Sequence, residues 1–228
     1  MDGLLLDTEG MYTVVQQRLA QKFGKEFTWA LKARMMGLKA IEAARVLVDE
    51  LELQGQLTPE QFLADREEAL DEMFPTAQLL PGAERLLRHL AACGVPMCLA
   101  TSSHLRHFTL KTTLHGELFE LFNHRVTGGR DQISSGKPAP DIFLHAAGLW
   151  QPAPDPSCCL VLEDAPSGVA AAKAAGMRCV MVPDPNLDRA LCGGADLVLD
   201  SLEQFQPQAW GLPPFPAERY STPSIAIE

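Results

Sequence analysis

The chain has 228 residues, of which 46% are hydrophobic and 21% are charged, a composition typical of globular domains with a sizeable core. Its formal net charge of -10 argues against binding to nucleic acid or to anionic membrane surfaces, which attract clusters of Lys and Arg. The six cysteines lack metal-ligand spacing, and without a signal peptide or an apolar stretch of about 20 residues the expected location is cytoplasmic.

The amino-terminal third is predicted to be helical. Residues 11–23 form a first helix, which ends at Gly24, a residue suited to the left-handed position after a helix. Residues 40–53 form a second helix. The third is the best marked, because Thr58 can cap it, Pro59 suits its first position and Gln61 completes a capping box.

From residue 81 onwards, short apolar runs alternate with helical segments. Nearly continuous apolar strands separated by helices indicate a parallel sheet that is covered on both faces, an α/β fold. The helical block at 11–79 is then an insertion into this fold, and 213–228, which holds four prolines, is an irregular tail. Helices are predicted at 81–93, 104–114, 140–149 and 166–175, and strands at 96–100, 158–162, 179–182 and 197–199.

Polar residues stand where predicted strands end. Ligands of open parallel sheets bind at the carboxyl ends of the strands, so we expect these residues to lie close together. Each segment alone is a weak signal, because a single Lys-Pro or Glu-Asp pair is usually a solvated loop, and Thr101 and Ser102 could simply cap the next helix. The specific signal is the order and spacing of Asp2-Gly3, Thr101-Ser102-Ser103, Lys137-Pro138 and Glu163-Asp164.

Together these segments resemble the four motifs of the haloacid-dehalogenase (HAD) phosphatases. The resemblance implies a Rossmann-like core, formed by 1–10 and 80–212, with an inserted all-helical cap at 11–79. It also implies that Thr101, the backbone of Ser102 and Lys137 hold the phosphoryl group, which needs positive charge around its oxygens. Gly3 would belong to the same substrate site.

The resemblance further implies one Mg²⁺ ion and one acid–base residue. Asp164 would ligate the ion directly, Glu163 directly or through water, and Asp2 through its backbone carbonyl, an all-oxygen set that suits Mg²⁺. The Asp2 carboxyl group would protonate the leaving oxygen and then deprotonate the attacking water. The alternative for Asp2 is an acidic residue without a role.

The first motif of the family reads Asp-x-Asp-Gly, and Asp2-Gly3 matches only its second half. The nucleophilic Asp would stand two residues earlier, before Met1, at the end of an apolar central strand. The 228 residues are therefore expected to be inactive by themselves, and the neighbours of that strand to be left with unpaired backbone groups. Two explanations stay open: a start placed at an internal Met, or a natural pseudoenzyme.

A closer resemblance, to the pseudouridine-5′-phosphatase family, covers residues 1 to about 213. It implies hydrolysis of pseudouridine 5′-phosphate, a small phosphorylated metabolite, by an enzyme whose cap selects the substrate. We expect a monomer or weak dimer. Glu9 and Lys39 are candidate substrate contacts, although Lys39 could be a solvated lysine. The resemblance rests on Asp7-Thr8-Glu9, Met36-Gly37-Leu38-Lys39-Ala40, Phe74-Pro75-Thr76-Ala77, Leu99-Ala100-Thr101-Ser102-Ser103, Gly136-Lys137-Pro138, Glu163-Asp164-Ala165-Pro166 and 200–213.

The sequence departs from this family in two places. His104, Arg106 and His107 follow the second motif, where smaller residues are expected, and could crowd the leaving-group pocket or face solvent. Gly128-Gly129-Arg130 replaces an expected acidic turn. Two other functions stay open: a β-phosphoglucomutase-like isomerase, which shares every core motif, and a non-catalytic phosphate-binding protein.

Overall fold

The computed structural model describes residues 1–35, 40–129 and 133–216, and it confirms the α/β class. Parallel strands form the core, and helices cover them. The helices are α1 Thr8–Gln21, α2 Trp29–Met35, α3 Ala40–Glu50, α4 Pro59–Met73, α5 Ala83–Ala92, α6 Leu105–Lys111, α7 Gly116–Phe119, α8 Asp141–Ala147 and α9 Pro166–Ala174. The strands are β1 Cys98–His104, β2 His124–Gly128, β3 Leu160–Glu163, β4 Arg178–Met181 and β5 Leu197–Val198.

Capping side chains determine where the first helices begin. The Thr58 side chain accepts a hydrogen bond from the Gln61 amide, and the Gln61 side chain returns one to Thr58, so the predicted capping box is confirmed. Helix α1 begins earlier than predicted, because the Asp7 side chain accepts a hydrogen bond from the Gly10 amide. The sequence prediction missed α2, whose seven residues are too few to show a clear period.

The structure differs from the prediction in two places near the centre of the chain. Strand β1 continues to His104 instead of ending at Ala100, so the next helix begins at Leu105 and not at residue 104. Strand β2 was not predicted, because it contains a single large buried apolar residue, Val126. Its extended shape comes from pairing with β1, in which Ala100 lies opposite Val126.

The strands form two separate parallel sheets. Strands β1 and β2 form one set, and β3, β4 and β5 form the other in that order. No strand ends at Asp2 in the part of the chain that the structure describes. Residues 1–6 form a tight loop instead, in which the amides of Leu5 and Leu6 donate to the Met1 carbonyl and Leu6 forms an isolated bridge with Leu79.

Helices α1 to α4 pack around a hydrophobic cluster of their own, which includes Val15, Leu47 and Phe74. The two clusters on the faces of the sheet draw on residues 4–6 and 77–205. This packing supports the division into a core and a cap at 11–79, which stays a proposal. No helix in the described ranges is long and apolar enough to cross a lipid bilayer.

Residues 213–216, the described part of the predicted tail, have no regular structure and pack against α5. The Phe215 ring lies 4.2 Å from the Arg85 guanidinium carbon and 4.7 Å from the His89 ring. The His89 Nε2 atom also lies 2.9 Å from the Pro213 carbonyl oxygen. These contacts fix the first residues of the tail, and 217–228 fall outside the described residues.

Candidate active site

Asp2 lies at the centre of a hydrogen-bonded cluster beside the carboxyl end of β1. Its Oδ1 atom accepts hydrogen bonds from Thr8 Oγ1 at 2.7 Å and from Lys111 Nζ at 2.6 Å. Its Oδ2 atom accepts one from Ser103 Oγ at 2.9 Å. Both carboxylate oxygens therefore have partners, and three separate elements hold the side chain in place.

Lys111, which sequence reasoning missed, has a fully buried side chain at the end of α6. Its ammonium group lies 3.1 Å from Ser103 Oγ and 3.4 Å from the Tyr12 hydroxyl, and 4.3 Å from the centre of the Phe74 ring. A buried charge needs such partners, because its desolvation is otherwise costly. The one sequence signal is a lysine three residues after Phe108, on the inner face of the helix.

The surroundings of Asp2 stabilise its charged form. Partial burial raises the pKa of Asp2, but the Lys111 charge, the Met1 amino group and the hydrogen bonds from Lys111 and Thr8 outweigh it and lower the pKa to about 2. Asp2 is therefore a carboxylate at neutral pH, the form that accepts a proton. To donate a proton, it must first become protonated, which its pairing with Lys111 disfavours.

Thr101 and Ser102 lie within β1, next to this cluster. The Thr101 side chain is buried, and its Oγ1 accepts a hydrogen bond from the Ser103 amide at 3.1 Å. A Cβ atom at Gly128 would lie 2.1 Å from the Ser102 carbonyl oxygen, so the neighbouring strand needs glycine there. The alternative role as helix caps is wrong, because α6 begins after His104 without a side-chain cap.

Lys137 and Glu163 form an ion pair beside the carboxyl end of β3. Glu163 is buried, and the Lys137 ammonium lies 5.1 Å from the centre of the Phe143 ring. A Cβ atom at Gly168 would lie 2.1 Å from Glu163 Cδ. The first turn of α9 therefore has room for the Glu163 carboxylate only because residue 168 is glycine. The predicted cation and one predicted metal ligand are thus in direct contact.

Asp164 links this pair to the amino-terminal loop. A Cβ atom at Gly3 would lie 2.4 Å from Asp164 Oδ2, and Gly3 has a positive φ of 63°. Burial raises the pKa of Asp164 to about 7, and the nearby charge of Glu163 adds to this effect. The fold therefore brings the predicted residues Gly3, Glu163 and Asp164 together.

The donor set of Glu163 and Asp164 fits a divalent cation. Two adjacent carboxylates repel each other, and a cation between them would favour the charged form of Asp164. Oxygen ligands are those that Mg²⁺ prefers. The described residues contain no group of three or more acidic, His or Cys side chains that could hold a metal by themselves, so backbone oxygens or water would complete the shell.

Glu9 points from the start of α1 towards Gly3 and the cap. Its Oε2 atom lies 3.5 Å from Lys32 Nζ, and burial raises the pKa of Glu9. The Lys32 side chain is only 10% exposed and donates a hydrogen bond to Thr13 Oγ1 at 3.0 Å. Lys32 is therefore a cap cation near the site that sequence reasoning missed, whereas the predicted Lys39 lies outside the described residues.

The unusual residues after the second motif contact the cap. Arg106 forms an ion pair with Asp71 of α4, and His107 Nε2 lies 2.8 Å from Glu67 Oε2. The His107 ring also packs edge to face against Phe74. These contacts join α6 to the helical block. The second departure is the turn Gly128-Gly129-Arg130. The His104 ring lies next to Gly129, and Arg130 lies outside the described residues.

Comparison with known proteins places this geometry in a family. The chain is 55% identical to "(DL)-glycerol-3-phosphatase 1, mitochondrial" of Arabidopsis thaliana over 94% of its length and 72% of that protein. It is 49% identical to "Probable pseudouridine-5′-phosphatase" of Drosophila melanogaster over 94% and 93%. A HAD family hydrolase of Deinococcus radiodurans, solved with phosphate and sodium, has a TM-score of 0.75 at 28% identity and covers 94% of the chain and 95% of its own.

Residues 1–176 match the family of haloacid dehalogenase-like hydrolases. This match spans the acid–base candidate, the lysine and both metal-ligand candidates, and it agrees with the parallel sheet that holds them. The chain belongs to the haloacid dehalogenase-like hydrolases.

Proposed function

We propose that the chain provides the site of a Mg²⁺-dependent phosphomonoester hydrolase. The observation that carries this proposal is the close approach of Gly3 to Asp164, because it brings the loop of the acid–base candidate Asp2 next to the candidate metal ligands. Lys137 lies beside them, paired with Glu163. When bound, the cation would neutralise the charge on the phosphoryl oxygens. The Lys137 ammonium group would contribute to the same neutralisation.

Hydrolysis would proceed in two displacements at phosphorus. A carboxylate two residues before Asp2 forms a bond to phosphorus while the ester P–O bond breaks, and the Asp2 carboxyl group gives its proton to the leaving oxygen. A water molecule then attacks the aspartyl-phosphate and gives a proton to the Asp2 carboxylate, and the P–O bond to the first carboxylate breaks. The products are an alcohol and inorganic phosphate.

The 228 residues by themselves contain no carboxylate at that position, so we propose that they do not turn over alone. The alternative without catalysis is a pseudoenzyme that binds phosphate. Isothermal titration with inorganic phosphate and Mg²⁺, combined with a phosphate-release assay, separates the two. A pseudoenzyme binds phosphate both with and without the added carboxylate, and it releases phosphate from an ester in neither case.

For the substrate we propose a small phosphorylated metabolite, with pseudouridine 5′-phosphate first because of the sequence segments shared with that family. Glycerol 3-phosphate is the second candidate, since a relative named for it is 55% identical. A β-phosphoglucomutase-like isomerase is the third reading. In a form that carries the missing carboxylate, a panel of these two esters and β-glucose 1-phosphate decides between them, because hydrolysis releases phosphate and isomerisation yields a new sugar phosphate. We keep a cytoplasmic location as a proposal.

Mg²⁺ is expected to raise the melting temperature more at pH 8 than at pH 5. Since the pKa of Asp164 rises from 3.8 to about 7, the folded chain keeps a proton that the unfolded chain releases, and stability falls as the pH rises through this window. At pH 8 the folded site carries the full charge, which a cation offsets. Asp164→Asn should remove this pH difference in thermal melts, while Asp65→Asn on α4 should keep it. Equal Mg²⁺ shifts in both variants would refute the ligand assignment.

Substrate choice is expected to depend on the cap. In a form that carries the missing carboxylate, Lys39→Ala should lower kcat/KM for a nucleotide by about 1.5–3 kcal/mol, the scale of a charge-assisted hydrogen bond. Hydrolysis of p-nitrophenyl phosphate should change far less, and Lys22→Ala, at the exposed end of α1, should change neither. If both substrates lose the same factor, Lys39 belongs to the general phosphate site or is structural.

A further inference from the structure

The chain crosses between core and cap at two places that lie side by side. The Asp7 amide donates a hydrogen bond to the Gln78 carbonyl oxygen at 2.9 Å, and α1 begins at Thr8. On the return crossing, the Leu80 amide donates one to the Leu5 carbonyl oxygen at 2.9 Å. A block that is attached at one place can turn about that place, as hinged domains do. Contacts farther from the crossings therefore determine how firmly the cap is held.

Helix α6 makes two such contacts with α4 of the cap. Arg106 forms an ion pair with Asp71 Oδ2, and His107 Nε2 lies 2.8 Å from Glu67 Oε2. Glu67 lies almost two turns before the end of α4 at Met73, about 9 Å along the helix axis. The two contacts thus hold α4 at a distance from the crossings, where they oppose a turning movement of the cap.

A buried aromatic ring lies between these contacts and the crossings. Phe74 is 0% exposed and packs edge to face against the His107 ring, with 5.2 Å between the ring centres. The Lys111 ammonium, at the other end of α6, lies 4.3 Å from the centre of the Phe74 ring. Phe74 thus contacts both ends of α6, and a movement of the cap away from this helix would expose it. The exposure of Phe74 is therefore a measure of the cap position.

The contacts between α6 and α4 are weak enough to break and form again. The Arg106 side chain is 68% exposed, and a surface ion pair changes an equilibrium by only up to about fivefold. The His107 side chain is less exposed, but its partner Glu67 also accepts a hydrogen bond from Arg66 at 3.0 Å. Glu67 therefore keeps a partner when His107 moves away. Such contacts suit a junction that opens better than a permanent one.

We propose that Arg106 and His107 form a latch, which holds the cap against the core and opens reversibly to give access to the site beside Asp2 and Glu9. Arg106 and His107 stand where the resemblance leads us to expect smaller residues, so the latch is a feature of this chain and not of the motif pattern. The proposal rests on the proposed division into core and cap. It goes beyond the proposed function, because neither the latch nor its test involves turnover.

The test is hydroxyl-radical footprinting of the 228-residue chain, in which mass spectrometry measures the oxidation of Phe74. Arg106→Asp replaces the attraction to Asp71 by repulsion and should raise the oxidation rate by about fivefold or more, the scale of one surface pair. Asp71→Arg alone should also raise it, and the two changes together should restore the original rate. His107→Leu keeps an apolar contact with Phe74 but loses the one with Glu67, so we expect a smaller increase.

The response to salt is an independent measurement. Screening weakens exposed attractions and repulsions alike, because the Debye length falls from about 10 Å at 0.1 M to about 3 Å at 1 M. Raising NaCl over this range should increase Phe74 oxidation in the unaltered chain and decrease it in Arg106→Asp. The matched control is Arg88→Asp on α5, which breaks the pair with Glu84. It should change neither the rate nor its response to salt.

Phe62 separates opening from unfolding, because it is 1% exposed within the hydrophobic cluster of the cap itself. The latch predicts a rise at Phe74 without a rise at Phe62, and circular dichroism shows whether each variant is folded. Unchanged Phe74 oxidation in folded Arg106→Asp, an equal rise at Phe62, or a salt response of the same sign in both chains would each overturn the proposal. If a variant does not fold, the unaltered chain decides the matter, since no increase with salt would also overturn it.

Discussion

Joining an apolar strand that ends in Phe-Asp to Met1 should raise phosphate release on the order of 10⁶-fold over the 228 residues alone. Losses of this size follow removal of a covalent nucleophile in other enzymes. In the structure, Asp2 bonds to Ser103 near the end of β1, and Lys137 and Asp164 lie beside the end of β3, so we expect the added carboxylate to complete the proposed site. A phosphate-release assay with pseudouridine 5′-phosphate measures the effect.

Two controls belong to this experiment. The same extension with Asn in place of its final Asp should supply the strand but stay inactive, which separates the effect of the carboxylate from that of the strand. Asp2→Asn in the active extended form should lower turnover by about 10²–10⁴-fold, the usual contribution of a general acid–base group. Strong Mg²⁺-dependent turnover by the 228 residues alone would contradict the assignment of the nucleophile.

Lys111→Met should lower the free energy of unfolding by about 3–5 kcal/mol at pH 7, because it leaves the Asp2 carboxylate without its buried partner. Lys173→Met is the matched control. It breaks the ion pair between Lys173, whose side chain is 41% exposed, and Asp196. Ion pairs at the surface contribute only about 0–1 kcal/mol to the free energy of unfolding. Urea unfolding measures both, and equal losses in the two variants would show that Lys111 has no special role.

The contribution of Asp2 should also depend on pH. Its pKa is about 2 in the folded chain and 3.8 when unperturbed, so the folded state favours the carboxylate. This contribution, about 2 kcal/mol, is complete above pH 4 and is lost as the pH falls towards 2. A double-mutant cycle of Asp2→Asn and Lys111→Met should show coupling that shrinks over this range. Coupling that does not change between pH 5 and pH 2 would refute the charge pair.

The sequence predicted the parts of the fold that local chemistry controls. Thr58 and Gln61 form the capping box that their spacing indicated. The apolar runs around Val161 and Val180 became paired parallel strands, because such runs are stable only when both faces are covered. Strand β2 escaped prediction since its conformation depends on β1, a partner more than 20 residues away in the chain.

The candidate site was predictable only where a motif carried it. Glu163 and Asp164 lie at the end of β3, Lys137 stands in a Lys-Pro pair before α8, and the order of these segments along the chain marked them. Lys111 and Lys32 have no motif, because their roles depend on the helices that bring them to Asp2 and Glu9. A sequence pattern alone does not distinguish a lysine that is buried on the inner face of a helix from one that is solvated.

We infer that catalysis forms an aspartyl-phosphate at the residue two positions before Asp2. The most direct measurement is rapid acid quenching of the extended chain during turnover, followed by mass spectrometry of its amino-terminal peptide. We expect one added phosphoryl group on the carboxylate of the new Asp, and its accumulation in the Asp2→Asn form, where hydrolysis of the intermediate is slow. Phosphate release without any phosphorylated carboxylate, or with the phosphoryl group on another residue, would contradict it.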